Sequence, residues 1–130
     1  MPSAIAAPVV LSVPAQPSSL RLVRLVVASM AADAGFDFET VEDLRIAADE
    51  LVNTVMSVTA AHGSVSIELT ISDQSLQLRS WAPAGADHVA VVVDPLAVQI
   101  LSALVDSSSF EVRGTQVEAA FRKAMPAASA

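Results

Sequence analysis

Two periodicities divide the chain. From Leu20 to Val58 apolar residues recur every three or four positions, and from Ser64 onward they recur every second position. In PSSLRLVRLVVASMAADAG, Leu20, Val23, Val27, Met30 and Ala34 share one helical face, with Ser18 or Ser19 available as a cap and Gly35 to close the end. Arg21 and Arg24 project off that face. A second helix is predicted from a cap at Asp37, with Val41, Leu44, Ala48, Leu51, Val55 and Val58 as its buried stripe. Gly63 ends the connection that follows it.

The two-residue period then places Val65, Ile67, Leu69 and Ile71 on one side of a strand and Ser64, Ser66, Glu68 and Thr70 on the other. SDQS (72–75) is turn chemistry, and SLQLRSW resumes the alternation with Leu76 and Leu78 inward, which makes a hairpin. The same parity turns Ser80 inward and Trp81 away. Upstream, VVLSVP (9–14) is a short strand fenced by prolines, as edge strands often are. Downstream, Asp94-Pro95 caps a third helix running to about Asp106, and SFEVRGTQVEAAFRK supplies two last strands around Gly114. The order β-α-α-β-β-α-β-β predicts an α+β two-layer sandwich, one mixed, mostly antiparallel sheet with three helices on one face. Residues 9–123 form a single domain between disordered ends, 1–8 and 124–130.

Composition narrows the function. With 53% apolar and 16% charged residues the chain is a folded domain whose surface has room for an apolar interface. A net charge of −7 with only 7 Lys and Arg argues against nucleic acid or anionic lipid as a partner, and leaves a basic protein surface as a plausible one. The absence of cysteine fits a cytoplasmic protein. The N-terminus lacks a basic region and is broken by Pro8 and Pro14, so it does not read as a signal peptide. Asp94, Pro95 and Gln99 interrupt the most apolar later stretch, 88–105, which is not expected to span a bilayer. His62 and His88 read as a helix-end residue and a loop residue.

One stretch carries chemistry. In AADELVNTVM (47–56) Asp49 and Glu50 stand beside Asn53 and Thr54 on an otherwise apolar helix, either as part of a nucleotide and metal site or as its wet edge. The lead-in Leu44-Arg45-Ile46-Ala47-Ala48-Asp49-Glu50, together with the element order from residue 9 to 123, resembles the anti-sigma factor serine kinases. These are bacterial switch proteins on the Bergerat ATP-binding fold shared by GHKL ATPases. In that family the box reads Glu-x-x-x-Asn: the glutamate is the general base for phosphoryl transfer and the asparagine holds magnesium. Positions i and i+4 share one helical face, so both reach one ligand. Here Glu50 matches, but the fifth position is Thr54, and Asn53 stands one residue early, turned about 100° away.

The other nucleotide elements depart likewise. The family's Arg-Asp-x-Gly-x-Gly, whose aspartate takes a hydrogen bond from the adenine amino group, is here Arg79-Ser80-Trp81-Ala82-Pro83-Ala84. The glycine-rich lid is GADHVAVVVDP (85–95), with one glycine and an acid at the helix start, where it opposes phosphate. Val89–Val93 are expected to fill the vacated pocket.

The resemblance therefore implies a degenerate member, with Glu50 a vestigial base and Thr54, Ser80, Ala82 and Ala84 at altered nucleotide positions. Such a protein sequesters an RNA polymerase sigma factor, is released by a competing anti-sigma factor antagonist and needs no cofactor. Arg24 falls where the family contacts both partners, with Arg21 and Arg45 as further candidates; all three also read as solvated helix charges. Relatives are dimers, so a homodimer is implied, and Trp81 is either a dimer contact or a packed surface aromatic. The alternative is an active kinase that uses ATP and magnesium through Thr54 and Ser80.

Overall fold

The computed structural model describes residues 7–85 and 93–125. The elements appear in the predicted order: β1 (Val9–Pro14), α1 (Leu20–Ala34), α2 (Phe38–Ser57), β2 (Ser64–Ser72), β3 (Ser75–Pro83), α3 (Pro95–Leu104), β4 (Ser107–Arg113) and β5 (Gln116–Ala124). They build an α+β sandwich of a five-stranded sheet, order β1-β2-β3-β5-β4, under three helices. Each pairing in it is antiparallel, so the sheet is not mixed as the pattern suggested. The connections explain this. Two helices between β1 and β2, and a helix plus a strand between β3 and β5, are each an even number of intervening elements, so the chain reverses three times and returns the next strand antiparallel.

Local chemistry sets the element ends. Gly35 adopts a left-handed φ of 98°. Its N–H donates to Ala32 O and that of Phe36 to Ala31 O, each at 3.1 Å, while the Phe36 side chain is buried: a Schellman closure of α1. Asp37 then opens α2, its Oδ1 accepting from Thr40 N at 2.8 Å, and those bonds hold its carboxyl below the ordinary carboxylate value. The expected serine cap of α1 does not form. A 3₁₀ turn at Pro17–Ser19 leads into the helix instead, Ser18 Oγ accepts from Gln16 Nε2, and Ser19 is buried without capping. Asp94 caps α3 through Leu96 N, but the helix ends at Leu104, where Val105 turns extended, short of the expected Asp106.

The β2–β3 hairpin turns on Asp73 and Gln74, with φ of 50° and 58°, the two-positive-φ turn whose twist matches paired strands. β5 continues through Ala124, and Met125 N donates to Gln74 O at 2.7 Å while its side chain packs on the core. Order therefore runs past Lys123, beyond the expected boundary. Residues 1–6 and 126–130 lie outside the described residues.

α2 sits mid-layer against β3 and β5, with α1 and α3 on its flanks. Each residue of its predicted stripe is buried. Leu44, Leu51 and Val55 are fully enclosed, and at about 1.5–3 kcal/mol for each such side chain this stripe outweighs any surface pair in holding α2. From below, Val65, Ile67, Leu69, Leu76, Leu78, Val117 and Phe121 complete the core. Among the described residues no helix is long and apolar enough to cross a membrane.

Candidate functional site

Asp49 and Glu50, adjacent on α2, point about 100° apart, so they serve different sides of the helix. Asp49 faces α1, where its Oδ1 meets Arg24 Nη1. Glu50 is half-buried. Thr54, at the position of the family's magnesium ligand, donates its hydroxyl to the Glu50 backbone carbonyl at 2.9 Å, the usual back-bond of a helical threonine. Asn53 is exposed, as its rotation off the i+4 position requires. Thr54 shares the face of Glu50 but offers only a neutral hydroxyl already committed to the backbone, and Asn53 is turned off it, so this donor set does not fit a magnesium ion held between positions i and i+4.

The end of β3 tells the same story from the sheet side. Ser80 points inward at 1% exposure, and its hydroxyl has no hydrogen-bond partner among the described residues. Ala82 is equally enclosed, so its methyl occupies space a glycine would leave open. Ala84 N donates to Thr115 O at 2.8 Å and Ala84 bridges to Thr59, while Ala60 N bonds Pro83 O at 2.8 Å and Gly85 N bonds Val58 O at 2.9 Å. These bonds stitch residues 83–85 to the end of α2 and the β4–β5 turn, engaging backbone donors that a ligand would otherwise meet. His88 and Val89–Val92 lie outside the described residues; Val93 is half-buried.

A second arrangement forms on the outer face of the α1–α2 hairpin. Arg21, Arg24 and Arg45 line one groove of about 510 Å³ with Leu25 and Ala28. Beside it, Arg24, Glu42, Arg45, Ile46 and Asp49 line a smaller recess of about 170 Å³. Leu25 is 63% exposed and Ile46 48%, an apolar pair framed by guanidinium groups. Arg45 Nη1 meets both Glu42 carboxylate oxygens at 2.9 Å, an i,i+3 pair within α2. The candidate partner residues thus come together. The nucleotide-box residues Glu50 and Thr54 share α2 with this face but not its groove.

Trp81 lies on the open side of the sheet, with the Arg79 guanidinium 5.3 Å from its ring centroid. Arg79 also reaches Glu68 and Glu118 on the neighbouring strands. That ladder solvates the outer face and gives Trp81 a packed surface setting.

Residues 13–121 match the sequence profile of the histidine kinase-like ATPase domain. The chain belongs to that family. Its curated relatives include the serine-protein kinase RsbW of Listeria monocytogenes and that of Listeria innocua, each 34% identical over 74 residues, which is 55% of this chain and 47% of the relative. The alignment thus spans about half the length of these relatives. Among solved structures, the RsbU and RsbW domains of Rv1364c from Mycobacterium tuberculosis superpose with a TM-score of 0.74 at 15% identity, covering 92% of this chain and 32% of that one. At that identity the likeness is one of fold. Together these agree with the resemblance to anti-sigma factor serine kinases carried by the motifs.

Sequence reasoning missed the Arg24–Asp49 pair. A partial signal existed, since Glu42, Arg45, Ile46 and Asp49 recur at helical spacing on the outer face of α2. The partner across the hairpin did not show in that spacing.

Proposed function

We propose that the chain is a regulatory binding protein that holds an RNA polymerase sigma factor on the outer face of α1 and α2, with a nucleotide site that no longer takes magnesium and ATP. The observation that carries this reading is the groove where Arg21, Arg24 and Arg45 converge around Leu25 and Ala28. Exposed aliphatic surface beside arginine is the composition that protein interfaces favour. The altered box supports the second half: phosphoryl transfer depends on positioning and on neutralising charge through metal and backbone donors. Here Thr54 is back-bonded, Ser80 offers a buried hydroxyl for a carboxylate, and the amides of residues 84 and 85 are engaged. Release then comes from a competing antagonist on the same face, in a cytoplasmic homodimer.

The second reading, an active serine kinase acting on an anti-sigma factor antagonist, rests on the retained Glu50 and on relatives that are named serine-protein kinases. Calorimetric titration of the purified chain with ATP, with and without magnesium, separates the two. No saturable binding is expected. Micromolar affinity, or transfer of labelled phosphate to an antagonist, overturns the first reading in favour of the second.

A further inference from the structure

We propose that Asp49 is an internal competitor for Arg24, a carboxylate that occupies the guanidinium until a partner's own carboxylate replaces it. This rests on the reading of the α1–α2 face as the partner surface, and adds to it the order in which the three arginines engage and the chemistry of what they meet.

The arginines of this groove are not equivalent. Arg45 is held by Glu42 within its own helix, and Arg24 is held by Asp49 across the hairpin. Arg21 has no carboxylate within 4.0 Å among the described residues. Arg21 is thus the charge a partner meets first, and Arg24 the one it must win. The contact to be broken is built for exchange. A single nitrogen, Arg24 Nη1, meets a single oxygen, Asp49 Oδ1, so the rest of the planar guanidinium fork remains open to an incoming carboxylate. Both side chains are about one-third exposed, 37% and 36%, so water screens the pair and it contributes little net free energy.

Around the pair, Leu25 and Ile46 are exposed aliphatic side chains and Ala28 lines the groove without bulk. The complementary occupant is an amphipathic helix of a protein partner, with an aliphatic residue over Leu25 and Ala28 and acidic residues one turn apart that reach Arg21 and Arg24. A partner lacking the second acid leaves Arg24 on Asp49. Asp49 thereby sets a threshold: it discriminates against surfaces that offer apolar contact without a correctly placed carboxylate.

The test uses the full chain as wild type, Asp49→Asn, Arg24→Ala and the double variant, titrated against each purified sigma factor of the source organism at low and high salt. Asp49→Asn keeps the shape while removing the competing charge. It is expected to tighten the complex about two- to fivefold, the range set by the worth of an exposed ion pair, mainly by faster association at low salt. In the Arg24→Ala background the same change is expected to have no effect. Binding by Asp49→Asn where the wild type shows none supports the proposal too. Weaker or unchanged binding by Asp49→Asn, or an equal effect in both backgrounds, overturns the competitor role while leaving the partner surface standing. Failure of every sigma factor to bind any variant overturns the underlying reading, and the proposal with it. Thermal melts of the four proteins identify any variant that has lost its fold, and Asp49→Glu, which restores the carboxylate, is expected to return binding towards wild type.

Discussion

Arg24 on α1 and Asp49 on α2, 25 residues apart in the chain, form the ion pair that bridges the outer face of the helix hairpin. Because both side chains are partly exposed, the pair is worth less to stability than its short contact suggests. A double-mutant cycle of Arg24→Ala and Asp49→Asn in urea unfolding is expected to give a coupling below about 1 kcal/mol, shrinking as salt rises. Against a sigma factor or a competing antagonist, Arg24→Ala is expected to cost on the order of 2 kcal/mol of binding. A large stability coupling with no loss of binding would recast Arg24 as a structural residue.

Ser80 offers a sharper test of the proposal that the nucleotide pocket is altered. Its hydroxyl is buried with no partner among the described residues, so Ser80→Ala is expected to be neutral or stabilising by up to about 1 kcal/mol. Ser80→Asp, which restores the family's residue, places a carboxylate in the same enclosure and is expected to destabilise by about 2 kcal/mol or more. Denaturant midpoints of the two variants settle the sign. A Ser80→Asp protein as stable as wild type, and binding ATP together with Thr54→Asn, would reopen the site.

Gly63, which ends the connection from α2 to β2, has no room for a side chain. A Cβ there would stand 2.8 Å from Ala60 O and 2.9 Å from Thr59 Cγ2. Ala60 O already accepts from Gly63 N, and Thr59 and Ala60 pair with the end of β3, so neither neighbour retreats cheaply. Gly63→Ala is expected to cost about 1–3 kcal/mol in urea unfolding. An unchanged midpoint would mean that this turn relaxes freely.

Asp37 ties part of the stability to pH. The Thr40 backbone N–H, then its hydroxyl, hold the carboxyl below its ordinary value of 3.8, so the folded state favours the ionised form. A lowered folded pKa means that the contribution is fully present above the unfolded value and is lost as pH falls through the folded one. Asp37→Ala is expected to lower Tm at pH 7, with the gap to wild type narrowing in the acid range. A gap that stays constant on acidification would assign the loss to something other than the cap.

Where interactions were local, the residues announced them. The stripe from Val41 to Val58, the Gly35 closure, the Asp37 and Asp94 caps and the parity that turned Ser80 inward all depend on neighbours a few positions away, and each appears in the structure. The Ser18 or Ser19 cap failed because Pro17 set a 3₁₀ turn and Ser19 was drawn into the core. The expected tail from residue 124 begins too early because Met125 is held by Gln74, in a turn far back in the chain. The candidate site was legible as a list of residues, since Glu50, Thr54, Ser80 and Arg24 came from motif positions. Their surroundings were not.

By itself, then, the sequence determined the elements, the α+β class and the departures at Thr54, Ser80, Ala82 and Ala84, because helix and strand periodicity and the spacing of a motif are properties of one stretch of chain. The tertiary structure decided that the sheet is antiparallel throughout, that Ser80 is left without a partner among the described residues, that residues 83–85 spend their amides on α2 and the β4–β5 turn, and that Arg24 faces Asp49 while Arg21 stands open. These are contacts between segments far apart in sequence, created when the apolar stripes of α1 and α2 bury against the sheet and bring their polar edges side by side.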